Sequence, residues 1–479
     1  MNDHIDAVSS EKYPEINGHH YTIAAWLRLP RQRDREHVLI ESQGVFRVYV
    51  QKAFGLLHYA HRNIGDLGCG VVDDGRWHHV AICQDGYDLT FYLDGTALYT
   101  FDVPGGLIKV SPQRIVVGGS PNGGDPHRGK VEAVTLVSRT LRPDEIVTLM
   151  NRTPHPNPPA TRDSRVPPAP LFEDPLFNSA KDGTVVWNRQ EQTWWFLYMQ
   201  IRNGLKRLGR TIHHGTTIGV ASSPDGLRWT YRGTLNGLEF EPGARKGENT
   251  FWAPDIVWYE GAYHMLISYV RGHASPRGEG DRRLMHYQSR DLRNWEWVGT
   301  VTGLESLRTL DAGIYRLPDG KWGIWYKDEV HHATGYAESE DLLHFRQCGH
   351  MDTAYDPVEG ADLFHWKGYY WLLGDDCHEY DGLRVYRSTD CRTWERLDNI
   401  MREGGRRNLD VGPARHPEVI LNGDDAYIFY WTKSTQFVDQ EFASAMMAFL
   451  QVAKLDYEDG MLHCDRNREF ELHMPEPPA

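Results

Sequence analysis

Between about Tyr21 and Leu149, short apolar runs alternate with polar turns, as in YTIAAWLRL, HVLIESQ, VFRVYVQ, HHVAICQ, LTFYLDG and KVEAVTLVS. Evenly spaced runs of this length are typical of the strands of a β-sandwich. The dipeptide Asp94-Gly95 lies between two of the runs and supplies the positive φ that a tight hairpin turn needs. The final run, LRPDEIVTLM, has helical character, because Asp144 and Glu145 occupy a first turn where the helix dipole favours acidic side chains.

Further along the chain, the pattern S-x-D-x-x-x-aromatic occurs four times. Its copies begin at Ser223, Ser289, Ser339 and Ser388, so that they are 66, 50 and 49 residues apart. Each copy follows a short apolar strand, and its Ser and Asp side chains can bond the backbone N–H groups of a turn. The pattern predicts a strand-turn-strand unit.

A second repeated unit, a turn followed by an aromatic-rich strand, occurs five times. Its copies are RQEQTWWFLYM, YEGAYHMLISYV, LPDGKWGIWYK, HWKGYYWLLGD and NGDDAYIFYWT. Two hairpins in each period of about 50 residues form a four-stranded sheet, and five such sheets arranged radially form a propeller. The predicted fold class is therefore all-β, a five-bladed β-propeller preceded by a β-sandwich.

A proline-rich stretch separates the two regions. Seven prolines lie between Pro154 and Pro170, without strand or helix periodicity, which indicates a stiff linker. We therefore expect a sandwich over residues 1–150, a linker over 151–170 and a propeller over 171–479.

Charge and hydropathy exclude several classes of partner. Of the 479 residues, 52 are Lys or Arg and 66 are Asp or Glu, and the net charge of −14 argues against nucleic acid. No apolar run approaches the roughly 20 residues that cross a bilayer, so no membrane association is expected. The N-terminus lacks a basic-then-apolar leader, which favours a cytoplasmic location, or a secreted or periplasmic one if a leader has been removed.

The residues that enter the five inner strands are the candidates for chemistry. They are Asp182, Asp255, Asp311, Glu359 and His416. A single acidic residue before a strand is more often a turn cap than a functional group. Four carboxylates in register around one axis repel each other and separate into protonated and ionised forms, which is the acid and base pair that glycoside hydrolysis requires.

Residues 171 to 455 resemble glycoside hydrolase family 43, on the runs WAPDIVWYEGAYHMLISYV, LDAGIYRLPDGKWGIWYKD and VEGADLFHWKGYYWLL. The resemblance implies that Asp182 is the general base, that Glu359 is the general acid, and that Asp311 keeps Glu359 protonated and orients it. Inversion of configuration would follow. Asp174, in EDP, also has family-like neighbours, but the strand and hairpin after Asp182 match the other blades better. The run FWAPDIVW is also similar to family 117, in which a His replaces the acid that is Glu359 here.

Further site residues follow from the same arrangement. Asp255 is expected either to bind a sugar hydroxyl or to hold the pocket together, and Trp187 and Trp252 could stack on sugar faces. His416 faces the channel, where the related family has a histidine at the axis, sometimes with a calcium ion or a water. A structural Ca²⁺ at the axis is therefore one expectation, and a histidine that bonds neighbouring backbone is the other; no cofactor is expected to be required.

Two histidine doublets, His213-His214 and His331-His332, lie at strand boundaries. We interpret them as residues of the pocket rim without a metal, because no third ligand accompanies them at metal-binding spacing. The sequence therefore predicts no metal site formed by these doublets.

The N-terminal region resembles a laminin-G-like, concanavalin-type jelly roll, on GRWHHVAI, FYLDGTAL, IVVGG and GKVEAVTLVSRTLRPDEI. Such a module can bind carbohydrate, brace the propeller or extend the rim of its pocket.

The leading hypothesis is an exo-acting, inverting glycoside hydrolase that releases a terminal sugar such as arabinofuranose or xylose from an oligo- or polysaccharide. The alternatives are a non-catalytic carbohydrate-binding protein, an anhydrogalactosidase like those of family 117, and a retaining transglycosylase. Carbohydrate is the expected partner in each case, and the sequence does not predict the oligomeric state.

Overall fold

The computed structural model describes residues 20–31, 35–42, 44–52, 55–61, 65–103, 115–119, 129–155, 157, 165–201, 206–207, 210–211, 214–238, 249–272, 282–351, 357–376, 381–433 and 447–476. The first 19 residues of the expected sandwich, residues 156 and 158–164 of the expected linker and His213 lie outside these ranges.

The N-terminal region folds into two facing antiparallel sheets. Their strands are His20–Arg28 (β1), His37–Ser42 (β2), Phe46–Val50 (β3), Leu56–His61 (β4), Gly65–Val71 (β5), Trp77–Asp85 (β6), Asp88–Leu93 (β7), Thr96–Asp102 (β8), Ile115–Val117 (β9) and Lys130–Val137 (β10). One sheet has the order β10-β1-β6-β7-β8, and the other contains β5-β4-β3-β2-β9. Apolar side chains of both sheets, such as Leu27 of β1 and Val48 of β3, form one core between them.

Two local predictions for this region are confirmed. Asp94 and Gly95 join β7 to β8, and their φ angles are 48° and 81°. The helix α1 runs from Pro143 to Arg152 and has Asp144 and Glu145 in its first turn. Its buried residue Ile146 packs on the outer face of the first sheet.

The C-terminal region confirms the five-bladed propeller. Each blade is a four-stranded antiparallel sheet whose strands follow one another in chain order. Blade 1 contains Lys181–Asn188 (β11), Thr193–Ile201 (β12), His214–Ser223 (β15) and Thr230–Thr234 (β16), and the short strands Lys206–Arg207 (β13) and Arg210–Thr211 (β14) lie between β12 and β15. Blade 2 contains Thr250–Tyr259 (β17), Ala262–Val270 (β18), Arg282–Ser289 (β19) and Glu296–Thr300 (β20).

The remaining blades repeat this plan. Blade 3 contains Thr309–Arg316 (β21), Trp322–Asp328 (β22), Ala333–Ser339 (β23) and Phe345–His350 (β24). Blade 4 contains Val358–Trp366 (β25), Tyr369–Asp376 (β26), Leu383–Ser388 (β27) and Glu395–Ile400 (β28). Blade 5 contains Arg415–Asn422 (β29), Asp425–Lys433 (β30), Ala448–Glu458 (β31) and Met461–His463 (β32). The first strands of neighbouring blades contact each other around the ring, so these strands surround the axis.

The repeated S-x-D pattern forms the turn that the sequence predicts. In blade 3 the Ser339 hydroxyl donates to Asp341 Oδ1 over 3.0 Å, and the same Oδ1 accepts the backbone N–H groups of Leu343 and His344. The copies that begin at Ser223, Ser289 and Ser388 have the same bonds. These turns connect the third and fourth strands of blades 1 to 4.

The segment of residues 171–180, which we call the junction segment, closes the ring and joins the two domains. Phe172 pairs with Leu450 of β31, so the segment lies beside blade 5 before the chain enters blade 1. Leu176 and Phe177 are buried in the sandwich core, and the Phe177 ring lies 5.7 Å from that of Tyr99. A second connection comes from β13, which pairs with β5 and extends the second sheet of the sandwich.

Within the described part of the chain, no helix has both the length and the apolar character needed to cross a bilayer.

Candidate active site

A β-bulge near the start of every inner strand shapes the channel. In each blade the pairing with the second strand shifts at one point, and the residue that follows the last regular pair has positive φ. These residues are Asp182 (43°), Ala253 (43°), Asp311 (53°), Gly360 (63°) and His416 (45°). Bulges re-aim side chains, and they are enriched next to active sites.

The bulges place the candidate carboxylates at two levels, which corrects the expectation that four of them share one register. Asp182, Asp311 and His416 occupy the bulge itself, and Glu359 is the last paired residue before it. We call these four residues the upper group. Three acidic residues resume the regular pairing after the bulge and form the lower group; they are Asp255, Asp362 and Glu418.

Asp182 lies at the boundary between blades 5 and 1. The indole N–H of Trp431 donates to its Oδ1 over 2.7 Å, and Nδ1 of His416 lies 3.6 Å from the same oxygen. Burial lowers the pKa of His416, although the charges of Asp182 and Glu359 oppose this effect. The aspartate is therefore held as a hydrogen-bond acceptor beside a buried imidazole.

Asp174, the alternative to Asp182, is fully buried in the junction segment. It accepts hydrogen bonds from the backbone of Phe177, from the Tyr198 hydroxyl and from the Gln200 amide, none of which belongs to the upper group. Burial raises its pKa to about 6, and these hydrogen bonds limit the rise. Its contacts indicate a structural role at the junction between the domains.

Asp311 is the most deeply buried carboxylate of the upper group. The Ser268 hydroxyl donates to its Oδ1 over 3.1 Å and accepts its backbone N–H over 2.8 Å. Burial raises the pKa of Asp311 well above its ordinary value, and the negative charges of Glu359 and Asp182 raise it further, while Lys327 and the bond from Ser268 act in the opposite direction. Burial and the two neighbouring carboxylates therefore favour the protonated form of Asp311.

Glu359 is the most accessible carboxylate of the upper group, because its side chain is 31% exposed. Nζ of Lys327 donates to its Oε1 over 3.1 Å. Its cross-strand partner is the buried Asp375, which accepts the backbone N–H of His416 and lies 3.6 Å from Arg415. Burial raises the pKa of Asp375 to about 8, and Arg415 limits the rise.

The residues that hold the upper group share one position in their blades, and the sequence analysis did not identify them. Each lies on the second strand of a blade, opposite the last residue before the bulge, and each bonds the first strand of the next blade; they are Ser268, Lys327, Asp375 and Trp431. Blade 1 departs from this pattern, because the same position of its second strand is Met199. The bulge residue of blade 2, the next blade, is Ala253, so both residues are apolar at this boundary. The signal was available in three blades, because Ser268, Lys327 and Asp375 are polar side chains near the end of aromatic-rich repeats.

The two candidate tryptophans occupy different places. Trp252 is the last paired residue before the bulge of blade 2, which is the position that Glu359 has in blade 4, and the Arg282 guanidinium lies 5.3 Å from its ring centre. Trp187 is buried in the apolar core near the other end of β11 and packs edge-on against Trp194. At about 3.3 Å per residue, Trp187 is roughly 16 Å along the strand from Asp182, so only Trp252 lies at the level of the upper group.

The lower group ties inner strands together across blade boundaries. Asp255 accepts the backbone N–H of Ile314 in the next blade over 2.6 Å, and Asp362 accepts that of Val419 over 2.9 Å. Glu418 in turn bonds the backbone of Val185 in blade 1. The sequence left open whether Asp255 binds a sugar hydroxyl or holds the pocket together, and these contacts correspond to the second role.

The lower group also bears on the calcium expectation. Burial raises the pKa of Asp255 to about 6, and burial together with the charge of Asp255 raises that of Asp362 to about 8. The three residues and His416 line an axial cavity of about 20 Å³, which is large enough for one water molecule or small ion. Carboxylate oxygens are the ligands that Ca²⁺ prefers, so the donor set fits the ion, and an axial Ca²⁺ held by these residues stays a prediction.

The chain is similar to the structure of a thermostable family-43 glycoside hydrolase, with 16% identity, 64% of this chain and 100% of that chain covered, and a TM-score of 0.47. It is similar to a family-43 β-1,3-galactosidase bound to galactodeoxynojirimycin, with 13% identity, 61% and 96% covered, and a TM-score of 0.47. It is also similar to a family-43 β-xylosidase/α-arabinofuranosidase from a compost microbial metagenome, with 14% identity, 63% and 97% covered, and a TM-score of 0.46.

No curated protein matches the sequence. Residues 2–147 match the family model of the Concanavalin A-like lectin/glucanases superfamily, which confirms the concanavalin-type domain expected from the sequence.

Proposed function

We propose that this chain is a glycoside hydrolase whose active site is the upper group of the propeller. The observation that carries the proposal is that three carboxylates from blades 1, 3 and 4 meet at the axis in three different environments. Asp182 accepts a hydrogen bond from an indole, Asp311 is buried and has a raised pKa, and Glu359 is partly exposed beside a lysine. Glycoside hydrolysis needs one carboxyl group that is protonated and one that is ionised.

In the proposed reaction each carboxylate has a separate task. Asp182 removes a proton from the attacking water, and Glu359 donates a proton to the oxygen of the departing group. Asp311 contributes a buried carboxyl whose protonated form is favoured by burial and by the charges of the other two carboxylates. Water then attacks the face opposite to the departing group, and the anomeric configuration inverts.

Lys327 is the observation that favours a second candidate reaction. An ammonium group stabilises the negative charge of a carboxylate beside it. A general acid must be protonated, whereas the nucleophile of a retaining glycosidase or transglycosylase must be ionised. The contact of Lys327 with Glu359 therefore keeps a retaining reaction, with Glu359 as nucleophile, as the alternative.

For the substrate we propose a terminal arabinofuranosyl or xylosyl group, on the strength of the family-43-like motifs. A single site at the propeller axis suits the removal of one terminal sugar, which favours exo-action. Trp252, at the level of Glu359, provides an indole face on which a sugar ring can stack.

A screen of nitrophenyl glycosides, with arabinofuranosides and xylosides first, tests the proposal, and NMR of the anomer released first distinguishes inversion from retention. Asp182→Ala should slow every substrate by a factor on the order of 100 to 10,000. Glu359→Ala should slow substrates with poor leaving groups far more than activated aryl glycosides, because activated groups scarcely need a proton.

Asp424→Ala is the control, because that side chain is 96% exposed in a turn. If the protein binds oligosaccharides but hydrolyses none of the glycosides, the proposal fails in favour of a carbohydrate-binding propeller.

A further inference from the structure

Three potential metal ligands converge at the end of blade 3 from which the chain runs on to Glu359. Asp328 ends β22, His331 lies in the turn before β23, and His350 ends β24. Nδ1 of His331 and Nε2 of His350 lie 2.8 and 3.3 Å from the same oxygen, Oδ2 of Asp328. All three candidate ligand atoms lie within 4.8 Å of one another, and we call these residues the rim triad.

The local structure fixes the carboxylate and leaves the imidazoles accessible. Oδ1 of Asp328 accepts the backbone N–H groups of Val330 and His331, so Oδ2 points away from the turn toward both histidines. The Asp328 side chain is 1% exposed, whereas those of His331 and His350 are 45% and 25% exposed. An ion could therefore reach the two histidines from solvent and meet a carboxylate that the backbone already orients.

The other end of the same blade provides a comparison within the molecule. Asp341 and His344 repeat the Asp-x-x-His turn, with 2.7 Å between the side chains and with the same bonds from the Asp oxygen to the backbone. Among the described residues, the turn of Asp328 belongs to a group of three potential metal ligands, and the turn of Asp341 does not. The difference is His350, which adds a third ligand from a strand that is distant in sequence.

We propose that the rim triad is a binding site for one divalent first-row transition metal ion, with Zn²⁺ as the probe. Two imidazole nitrogens and one carboxylate oxygen suit Zn²⁺ and leave a fourth position for water. The ion would join the turn after β22 to the end of β24, and so hold these two parts of blade 3 together. This site is separate from the axial cavity of the lower group, and the sequence did not reveal it because His350 lies 19 residues after His331.

The position gives the ion a structural consequence for the proposed active site. Asp328 stands between Lys327, which bonds Glu359, and Glu329, which bonds Arg282 and Arg308. Arg282 also lies over Trp252. An ion on the rim triad would therefore hold the strand end from which the neighbours of both Glu359 and Trp252 project.

The test uses the full chain after treatment with a chelator. Calorimetric titration with ZnCl₂ should give one site per chain, and Co²⁺ should produce visible absorption bands of a His-ligated ion. His350→Ala should weaken Zn²⁺ binding by at least about tenfold, since even groups outside a ligand set contribute that much. Asp328→Asn should do the same and should abolish the Co²⁺ bands.

His344→Ala and Asp341→Asn are the matched controls, and both should bind Zn²⁺ like the unmodified protein. Far-UV circular dichroism checks that each variant is folded. If Asp328→Asn does not fold, the Zn²⁺ affinity of His350→Ala tests the proposal instead, because His350 is the last residue of β24 and its loss should disturb the fold less. The proposal is overturned if the unmodified protein shows no saturable binding, or if His350→Ala and His344→Ala bind Zn²⁺ equally well.

Discussion

Lys327 and Glu359 are 32 residues apart in sequence and form an ion pair across the boundary between blades 3 and 4. Nζ of the lysine lies 3.1 Å from Oε1 of the glutamate, and the lysine side chain is 18% exposed. The carboxylate that we propose as general acid therefore carries its own positive neighbour, and that neighbour makes the role of Glu359 testable.

Lys327→Met should move one limb of the pH profile of kcat/KM, and the limb that moves identifies the role. Without the ammonium, the protonated form of Glu359 persists to higher pH. If Glu359 is the acid, the alkaline limb moves upward; if it is a nucleophile, the acidic limb moves upward. Lys321→Met, which removes a lysine paired with Glu338 on the same hairpin, should leave both limbs in place. If Lys327→Met moves neither limb, Glu359 is not a group whose protonation controls the reaction.

Asp311→Asn should leave the alkaline limb where it is. The family resemblance implies that a negative Asp311 keeps Glu359 protonated, in which case the limb would move downward. Burial and the charges of Glu359 and Asp182, however, raise the pKa of Asp311 well above its ordinary value and so favour its protonated form, and an amide preserves the charge of that form. We expect kcat/KM to fall by less than the roughly 100-fold minimum expected for Asp182→Ala. A downward shift of the limb would show that Asp311 is ionised in the active enzyme.

Gly360→Ala should cost more stability and activity than Gly368→Ala. Gly360 and Gly368, both in blade 4, have positive φ of 63° and 84°, so each substitution incurs backbone strain of about 1 to 2 kcal/mol. A Cβ at residue 360 would also lie 2.2 Å from Nδ1 of His416, whereas nothing lies within 4 Å of a Cβ at residue 368. Urea denaturation and kcat/KM measure the two effects, and equal losses would show that His416 can move aside.

The sandwich should lose stability as the pH rises through about 9. Burial disfavours the charged form of His78, but hydrogen bonds to Asp74 and Asp94 outweigh this and raise its pKa to about 9, from 6.5. Because the pKa is raised in the folded state, the stabilisation is complete below pH 6.5 and disappears between there and about pH 9. Melting temperatures between pH 6 and about 9.5 should fall for the unmodified protein and change less for His78→Gln. His20→Gln, which alters an exposed pair with Asp85, should follow the unmodified protein.

The fold was predictable from the sequence because its determinants are local and repeated. The S-x-D turns, such as that of Ser339 and Asp341, depend on residues two and three positions apart. The aromatic-rich strands likewise recur with one period. The placement of Asp94-Gly95 in a hairpin is of the same kind.

The site was less predictable, because its geometry depends on contacts between blades. Nothing local distinguishes Asp255, which lies beyond a bulge, from Asp311, which lies in one. Trp187 and Trp252 were both candidates for stacking on a sugar, yet Trp187 fills the core. The second-strand residues and the rim triad each combine residues from separate strands, and their spacing in sequence carries no metal or catalytic signature.

Closure of the ring by the junction segment sets an order for the synthesis and folding of the chain. Phe172 emerges from the ribosome long before its partner Leu450, and the two are separated by a loop of roughly 280 residues whose closure is slow. Until the final blade emerges, the edge beside Phe172 is an open apolar surface of a nascent chain. A stop codon or a stalled ribosome before Ala448 would therefore leave a product that has four complete blades but cannot close, and such a product would depend on chaperones to stay out of aggregates.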